Sequence, residues 1–218
     1  MNLKNKIRRL GLKLFKSQII LSQKISLADN DGKILKSYEK ISDSLTGNFL
    51  QSLYAFFSGN NTSTWAITAA PLGDGSQNMI VHTIDNLYVI LVTNNYYLDG
   101  IAGDTNHGIV FGSGITPVTP ADYKIETLIP HGLAANQLSY LGMSAPLAPT
   151  ITGNSTKFKL LRMATNSSGA NVTVNEVAIY IQVTSIKYMC IYRDLVTPAL
   201  VVPNGLNAIA EITWEIIT

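Results

Sequence analysis

A chain of 218 residues is long enough for one well-buried domain or for a domain with an appendage. Its charged fraction of 14% is well below the roughly 25% of an ordinary globular protein, while 46% is hydrophobic. That balance suits an all-β protein with a polar, mostly uncharged surface. Cys190 stands alone, which excludes an intramolecular disulfide framework. No stretch approaches the roughly 18 apolar residues of a membrane-spanning helix, and no apolar signal region is expected behind the basic N-terminus.

Residues 1–24 hold Lys4, Lys6, Arg8, Arg9, Lys13, Lys16 and Lys24 without an acidic residue. They carry +7 in a chain of net +2, so residues 25–218 carry −5. Leu3, Ile7, Leu10 and Leu14 recur at spacings of four, three and four, one stripe along a helix with the basic residues on the other faces. Gly11 weakens such a helix by about 1 kcal/mol relative to alanine. The span 1–24 reads as a basic amphipathic arm. Docking on a neighbouring subunit, or an ordinary packed helix with a solvated basic face, leads, with nucleic-acid phosphates as an alternative and a membrane surface as the least favoured partner.

Residues 25–60 read as a hairpin plus a helix. Two alternating runs flank Asp29-Asn30-Asp31-Gly32, whose residues favour a tight turn. The acidic spacing resembles the start of a calcium loop, but no glutamate closes it. Leu45, Phe49, Leu53 and Phe57 then stand four apart, with Leu50 and Tyr54 alongside. Ser42 or Ser44 is the expected N-cap and Gly59-Asn60 the expected end of this helix, which should pack on a sheet.

Residues 61–218 read as strands bounded by Gly, Pro, Asn or Ser, from "TWAITAA" to "NAIAEITWEIIT". "TNSSGAN" (165–171) is expected to be a hairpin turn, and "TPALVVPNG" (197–205) to separate the last two strands. The expected fold is all-β, an antiparallel, jelly-roll-like β-sandwich. A parallel nucleotide-binding sheet is excluded because no strand alternates with a helix beyond Thr64.

Little of the chain spells chemistry. In "GDTNHGIVFGSGITPVTPADY" the glycines do not end in Gly-Lys-Ser/Thr, and the prolines that follow cannot open a long helix, so a phosphate loop fails. His82, His107 and His131 lack metal-ligand spacing. Cys190 reads as a small hydrophobe, Asp99 and Asp104 as solvated turn residues. Sequons at Asn60, Asn61, Asn154, Asn166 and Asn171 follow from a composition rich in Asn, Ser and Thr. No catalytic, cofactor-binding or metal-binding residue is assigned. Glu176, inside the apolar "VNEVAIYI", is expected to form a structural ion pair with Arg193. Gly112 and Gly114 are read as turning the chain sharply, and Pro117 and Pro120 as stiffening the loop. Asp122 and Tyr123 are read as tying it to a neighbour.

The stretches "DNDGKILKSYEKISDSLTGNFLQSLYAFFSG", "HGIVFGSGITPVTPADYKIETLIPHG" and "CIYRDLVTPALVVPNGLNAIAEITWEI" together resemble virion structural proteins of tailed phages and related environmental viruses. The resemblance spans Asp29–Gly59 and Gly108–Ile217. It implies a β-structured, non-enzymatic component of a capsid, neck, tail or fibre, made in the host cytoplasm. Its partners would be copies of itself and other virion proteins, with packaged nucleic acid reached through the basic arm. Two alternatives stand beside it. One is a single jelly-roll coat protein with a genome-binding arm, in which deleting residues 1–24 spares the fold. The other is a carbohydrate- or receptor-binding module that stacks sugars on Trp65, Tyr96 and Tyr97.

Overall fold

A computed structural model of the chain describes residues 18–42, 44–50, 65–68, 79–82, 98, 100–144, 148–184 and 187–218. The strands are β1 (Gln18–Ala28), β2 (Ile34–Ser42), β3 (Trp65–Thr68), β4 (Met79–His82), β5 (Gly108–Gly112) and β6 (Ser139–Tyr140). They continue with β7 (Thr150–Thr152), β8 (Ser155–Thr165), β9 (Val172–Thr184), β10 (Lys187–Val202) and β11 (Asn207–Ile217). One sheet runs β2-β1-β11-β8-β6 with β7 also on β8, a second runs β10-β9-β5, and β3 pairs with β4. Every strand pair is antiparallel.

The two larger sheets face each other as a β-sandwich. Alternation along β1 sends Leu21, Gln23, Ile25 and Leu27 inward, where they meet Leu160, Ala210 and Ile212 of the same sheet. From the opposite sheet come Ile109, Phe111, Ile179, Met189 and Tyr192. Burying each Leu, Ile or Phe contributes about 1.5–3 kcal/mol, so these two faces dominate the stability.

The β1–β2 turn follows its sequence. Asp29 Oδ1 accepts from the amides of Asp31 (3.1 Å) and Lys33 (2.8 Å), and Gly32 takes φ +80°. Strand β1, however, begins at Gln18, inside the span read as the arm, and pairs with β11 without a break from Gln18–Ile217 to Ala28–Asn207. Residues 1–17 stand before β1. They lie outside the described residues, and with them Lys4, Lys6, Arg8, Arg9, Lys13, Lys16 and the Leu3–Leu14 stripe.

This changes what a truncation does. Removing residues 1–17 leaves every described strand pair intact and should lower the melting temperature less than the longer cut does. Removing 1–24 strips β11 of its partner from Ile217 to Glu211 and takes away buried Leu21 and Gln23. That should cost several kcal/mol, on the order of two lost core side chains with the backbone pairing between them. Thermal melts of the two truncations check it; equal melting points would contradict it.

Three further expectations need correction. "TNSSGAN" is not a hairpin turn, because β8 and β9 belong to different sheets. The chain crosses the sandwich there and crosses back between β10 and β11, so the pair β9–β10 nests inside the pair β8–β11. Asn166 fastens both crossings. Its Nδ2 donates to Ala170 O and Val202 O, both at 2.7 Å, and its backbone bonds Leu206 and Gly205. That Asn166 is fully buried closes this sequon to glycosylation in the folded chain. Second, "TPALVV" does not separate strands: β10 runs on to Val202, with the ladder slipping between Leu195 and Leu200. Third, helical structure begins at residue 47, after Thr46, and neither Ser42 nor Ser44 caps it. Ser42 Oγ donates instead to Asp194 Oδ2 at 2.6 Å. Phe49 of that first turn packs on Trp214 of β11, ring centres 5.0 Å apart. The rest of the expected helix lies outside the described residues.

Candidate functional site

Among the described residues, the buried charges gather at three places. The largest lies on the outer side of the β10-β9-β5 sheet. Val172 and Val174 of β9 face the core, and so do Val177, Ile179 and Ile181. The inward parity therefore changes between Val174 and Val177, where the β10 ladder slips. The change carries Glu176 out of the core and under the loop 113–127.

Glu176, fully buried, is surrounded by donors. Its Oε1 accepts from Gly114 N (3.0 Å) and Thr127 N (2.9 Å), and its Oε2 from Glu126 N (3.1 Å) and Arg193 Nε (2.8 Å). The structure thus brings the expected pair together, both residues buried. Arg193 then reaches further: Nη1 donates to Asp122 Oδ2 at 2.7 Å and Nη2 to Thr116 O at 3.0 Å, with Glu126 Oε2 at 3.8 Å. Burial alone would lower the Arg193 pKa, but its bonds to Asp122 and Glu176 leave it above the ordinary value.

The loop so held covers a small apolar cluster of Val110, Ile125, Ala178, Tyr180 and Cys190. Ile125 N donates to the Tyr180 hydroxyl at 2.7 Å, and Pro120 O accepts from Gly47 N at 2.7 Å. Cys190 is fully buried and its Sγ donates to Tyr192 O at 3.3 Å; burial pushes the thiol pKa well up, which makes it inert.

Several readings of this loop change. Gly112 lies in β5 and Gly114 in an unbent stretch, and neither takes a positive φ, so neither serves a sharp turn. They are there for space, since a Cβ on Gly112 would stand 2.6 Å from Glu176 Oε1 and one on Gly114 would collide with the same oxygen. Asp122 ties the loop to Arg193 of its own chain. Tyr123 is half-buried beside the Lys124 ammonium, 5.9 Å from its ring centre, and Pro117 and Pro120 are exposed.

The second place is Arg162 on β8, which the sequence reading did not single out. It is fully buried and donates to five main-chain carbonyls: Leu141 (3.0 Å), His107 (3.2 Å), Ile109 (2.8 Å), Ile101 (3.0 Å) and Asp104 (2.5 Å). Its guanidinium also lies 4.9 Å from the Tyr140 ring centre. Burial lowers its pKa, and the groups around it only partly offset that. The available signal was an arginine at an inward position of "KFKLLRMAT", in step with Phe158, Leu160 and Ala164. Asp104, expected to be solvated, is part of this region: its carboxylate is 2.6 Å from His107 Nδ1. Asp99 lies outside the described residues.

The third place joins the two sheets. Asp194 Oδ1 accepts from Lys40 Nζ at 2.8 Å and Oδ2 from Ser42 Oγ, while the Tyr192 hydroxyl donates to Gln23 Oε1 at 2.6 Å. All of these side chains but Lys40 are buried.

Comparison with protein-family models, with curated proteins and with solved structures found no match to this chain. Chemistry must therefore be judged from geometry. At each place the polar atoms are engaged by the chain itself, as braces between loops and strands. Among the described residues no three of His, Cys, Asp and Glu are grouped to hold a metal ion. His131 Nδ1 accepts from Tyr140 N at 3.1 Å. Tyr96, Tyr97 and the side chains of Trp65 and His82 lie outside the description, and no membrane-long apolar helix occurs among the described residues.

The braces give the loop an acid sensitivity of defined sign. Burial raises the Asp122 carboxyl pKa, but bonds from Thr119 N–H, Arg193 and the Thr119 hydroxyl outweigh it and hold the group below its ordinary value. Glu126 is lowered by bonds from the Thr116 hydroxyl and amide. Groups depressed in the folded state stabilise it above their unfolded pKa, about 4, and that contribution is lost as pH falls through the folded pKa. Denaturation midpoints should therefore hold from pH 7 to about 5 and drop below about 4. Asp122→Asn should shrink that drop; an unchanged drop would remove Asp122 from the account.

Proposed function

We propose that the chain is a structural subunit of a virus particle, of the kind its sequence resembles, and that it works by assembly without catalysis. The observation that supports this best is the use made of its buried charges. Glu176, Arg193, Arg162 and Asp194 are bonded to the chain's own loops and strands, which rigidifies a surface. A jelly-roll-like sandwich is the finer reading of the fold, supported by the nested β8–β11 and β9–β10 pairs. Partners are copies of this chain and other virion proteins, with Lys4, Lys6, Arg8, Arg9, Lys13 and Lys16 presented to a neighbour or to packaged nucleic acid. The position in a particle would follow from the symmetry of the assembly.

The test is the mass of the purified protein in solution at low and high salt, for the full chain and for a truncation lacking residues 1–17. The cut is made there because Gln18 onward is sheet. A ring- or shell-sized species that needs the arm is the expected result. A monomer at every concentration and salt would overturn self-assembly. Retention on nucleic acid that falls steeply with salt, and only with the arm, would identify phosphate as its partner.

A further inference from the structure

One end of the inner face of the larger sheet is left uncovered by the opposite sheet. The register sets Ile151 of β7, Thr156 of β8, Ile216 of β11 and Ile19 of β1 side by side in one row. These positions share the inward parity of Phe158, Trp214 and Leu21, yet Ile151 is 76%, Ile216 45% and Ile19 68% exposed. The next row inward, Phe158–Trp214–Leu21, is roofed in part by Phe49. The outermost row forms an apolar shelf across four strands.

We infer that this shelf is the seat of the chain's own N-terminal segment, with Leu14, Leu10, Ile7 and Leu3 lying over β1, β11, β8 and β7 in turn. Three observations carry it. The segment joins β1 at Gln18, next to Ile19, so its C-terminal end starts at one side of the shelf. Its stripe residues recur three or four positions apart, about 4.5–6 Å along a helix. Neighbouring strands are about 4.8 Å apart, so successive leucines and isoleucines keep step with successive strands. The whole stripe is about 16 Å long against about 14 Å for four strands. Finally, Lys16 and Ser17 are a short polar link in which the chain can reverse.

Docked this way, the stripe is buried and the faces that carry Lys4, Lys6, Arg8, Arg9 and Lys13 point outward. The arm would then be a fixed basic ridge on each subunit and would not be exchanged between subunits. The inference goes beyond the particle role and does not require it, since an intrachain contact exists in a monomer.

The experiment is cysteine trapping in full-length protein carrying Cys190→Ser, with Leu10→Cys and Ile216→Cys combined. Mild oxidation should give an intrachain disulfide, read as a compact monomer on a non-reducing gel, whether or not the protein assembles. In the single variant Ile216→Cys, thiol labelling should be roughly tenfold slower than after Ile7→Asp is added, as burial limits access to open states. Thr213→Cys, on the opposite face, should label at one rate in both backgrounds. If the trapping pair folds poorly, Leu14→Cys with Ile19→Cys takes its place. A disulfide only between chains would show that a second copy occupies the shelf and overturn the inference. So would protection of the cysteine that survives removal of residues 1–17, which would point to residues 51–57 as the cover. Failure here with a normal assembly mass leaves the particle reading standing, and the reverse outcome leaves the arm docked on a chain that does not assemble.

Discussion

Arg162→Met is expected to cost about 3–5 kcal/mol. Methionine fills much of the arginine stem, so packing is nearly kept and the loss is polar. Five carbonyls, of Ile101, Asp104, His107, Ile109 and Leu141, lose the guanidinium together, and that of Ile101 keeps the Asp104 amide at 3.1 Å. Each buried orphan costs about 1–3 kcal/mol, and the total stays below the sum because the exposed part of the 101–106 segment can take up water. Arg162→Lys should recover less than half of the loss, because one ammonium with three donors cannot fork to five acceptors. Chemical denaturation of the three proteins measures it. A loss below about 1 kcal/mol for Arg162→Met would mean the carbonyls are satisfied without the guanidinium.

The second large effect is expected at the Glu176–Arg193 pair. Glu176→Ala removes the acceptor for Gly114, Glu126 and Thr127 amides and leaves the buried guanidinium with Asp122, Glu126 and the Thr116 carbonyl. Arg193→Met leaves the Glu176 carboxylate buried with its amides but without its cation. Each single change should cost about 3–5 kcal/mol, and the double change clearly less than their sum, since each single variant strands a charge that the double variant removes. A separate reporter shows where the damage falls. Cys190 lies beneath the loop that this pair holds, so a thiol reagent should reach it markedly faster in either single variant, while Arg162→Met should affect it less. Additive costs, or a Cys190 that stays closed, would mean the loop is held by Ile125 and Tyr180 and not by the ion pair.

Both effects concern residues whose importance was unequally legible. Glu176 and Arg193 stand out as opposite charges in adjacent apolar strands, and mutual neutralisation is the cheapest way to bury either. Arg162 has no acidic counterpart, because its partners are carbonyls that every residue carries and no side-chain pattern marks. They come from segments more than fifty residues earlier as well as from nearby Leu141. Asp122 shows the complementary case. An acid in a proline-bounded loop gives no hint of Arg193 until the fold brings the guanidinium beneath it.

What the sequence by itself determined are the features that rest on local physics. The low charge and β-branched runs set the all-β class. Asp29 to Gly32 set the first turn, and the alternation of β1 set which of its side chains are buried. The split between a basic first segment and an acidic remainder is equally plain in the residues. Only the tertiary structure decided that residues 165–171 cross between sheets instead of closing a hairpin, that β10 continues through Pro198, and that β1 takes over the end of the supposed arm. It also decided that Glu176 leaves the core. Period-two alternation would have kept it in step with Val172 and Val174, and the parity changes only because β9 must match a bulged β10. Strand pairing between distant segments chooses the partner, the slip and the face, and none of these is encoded within the few residues that a local pattern spans.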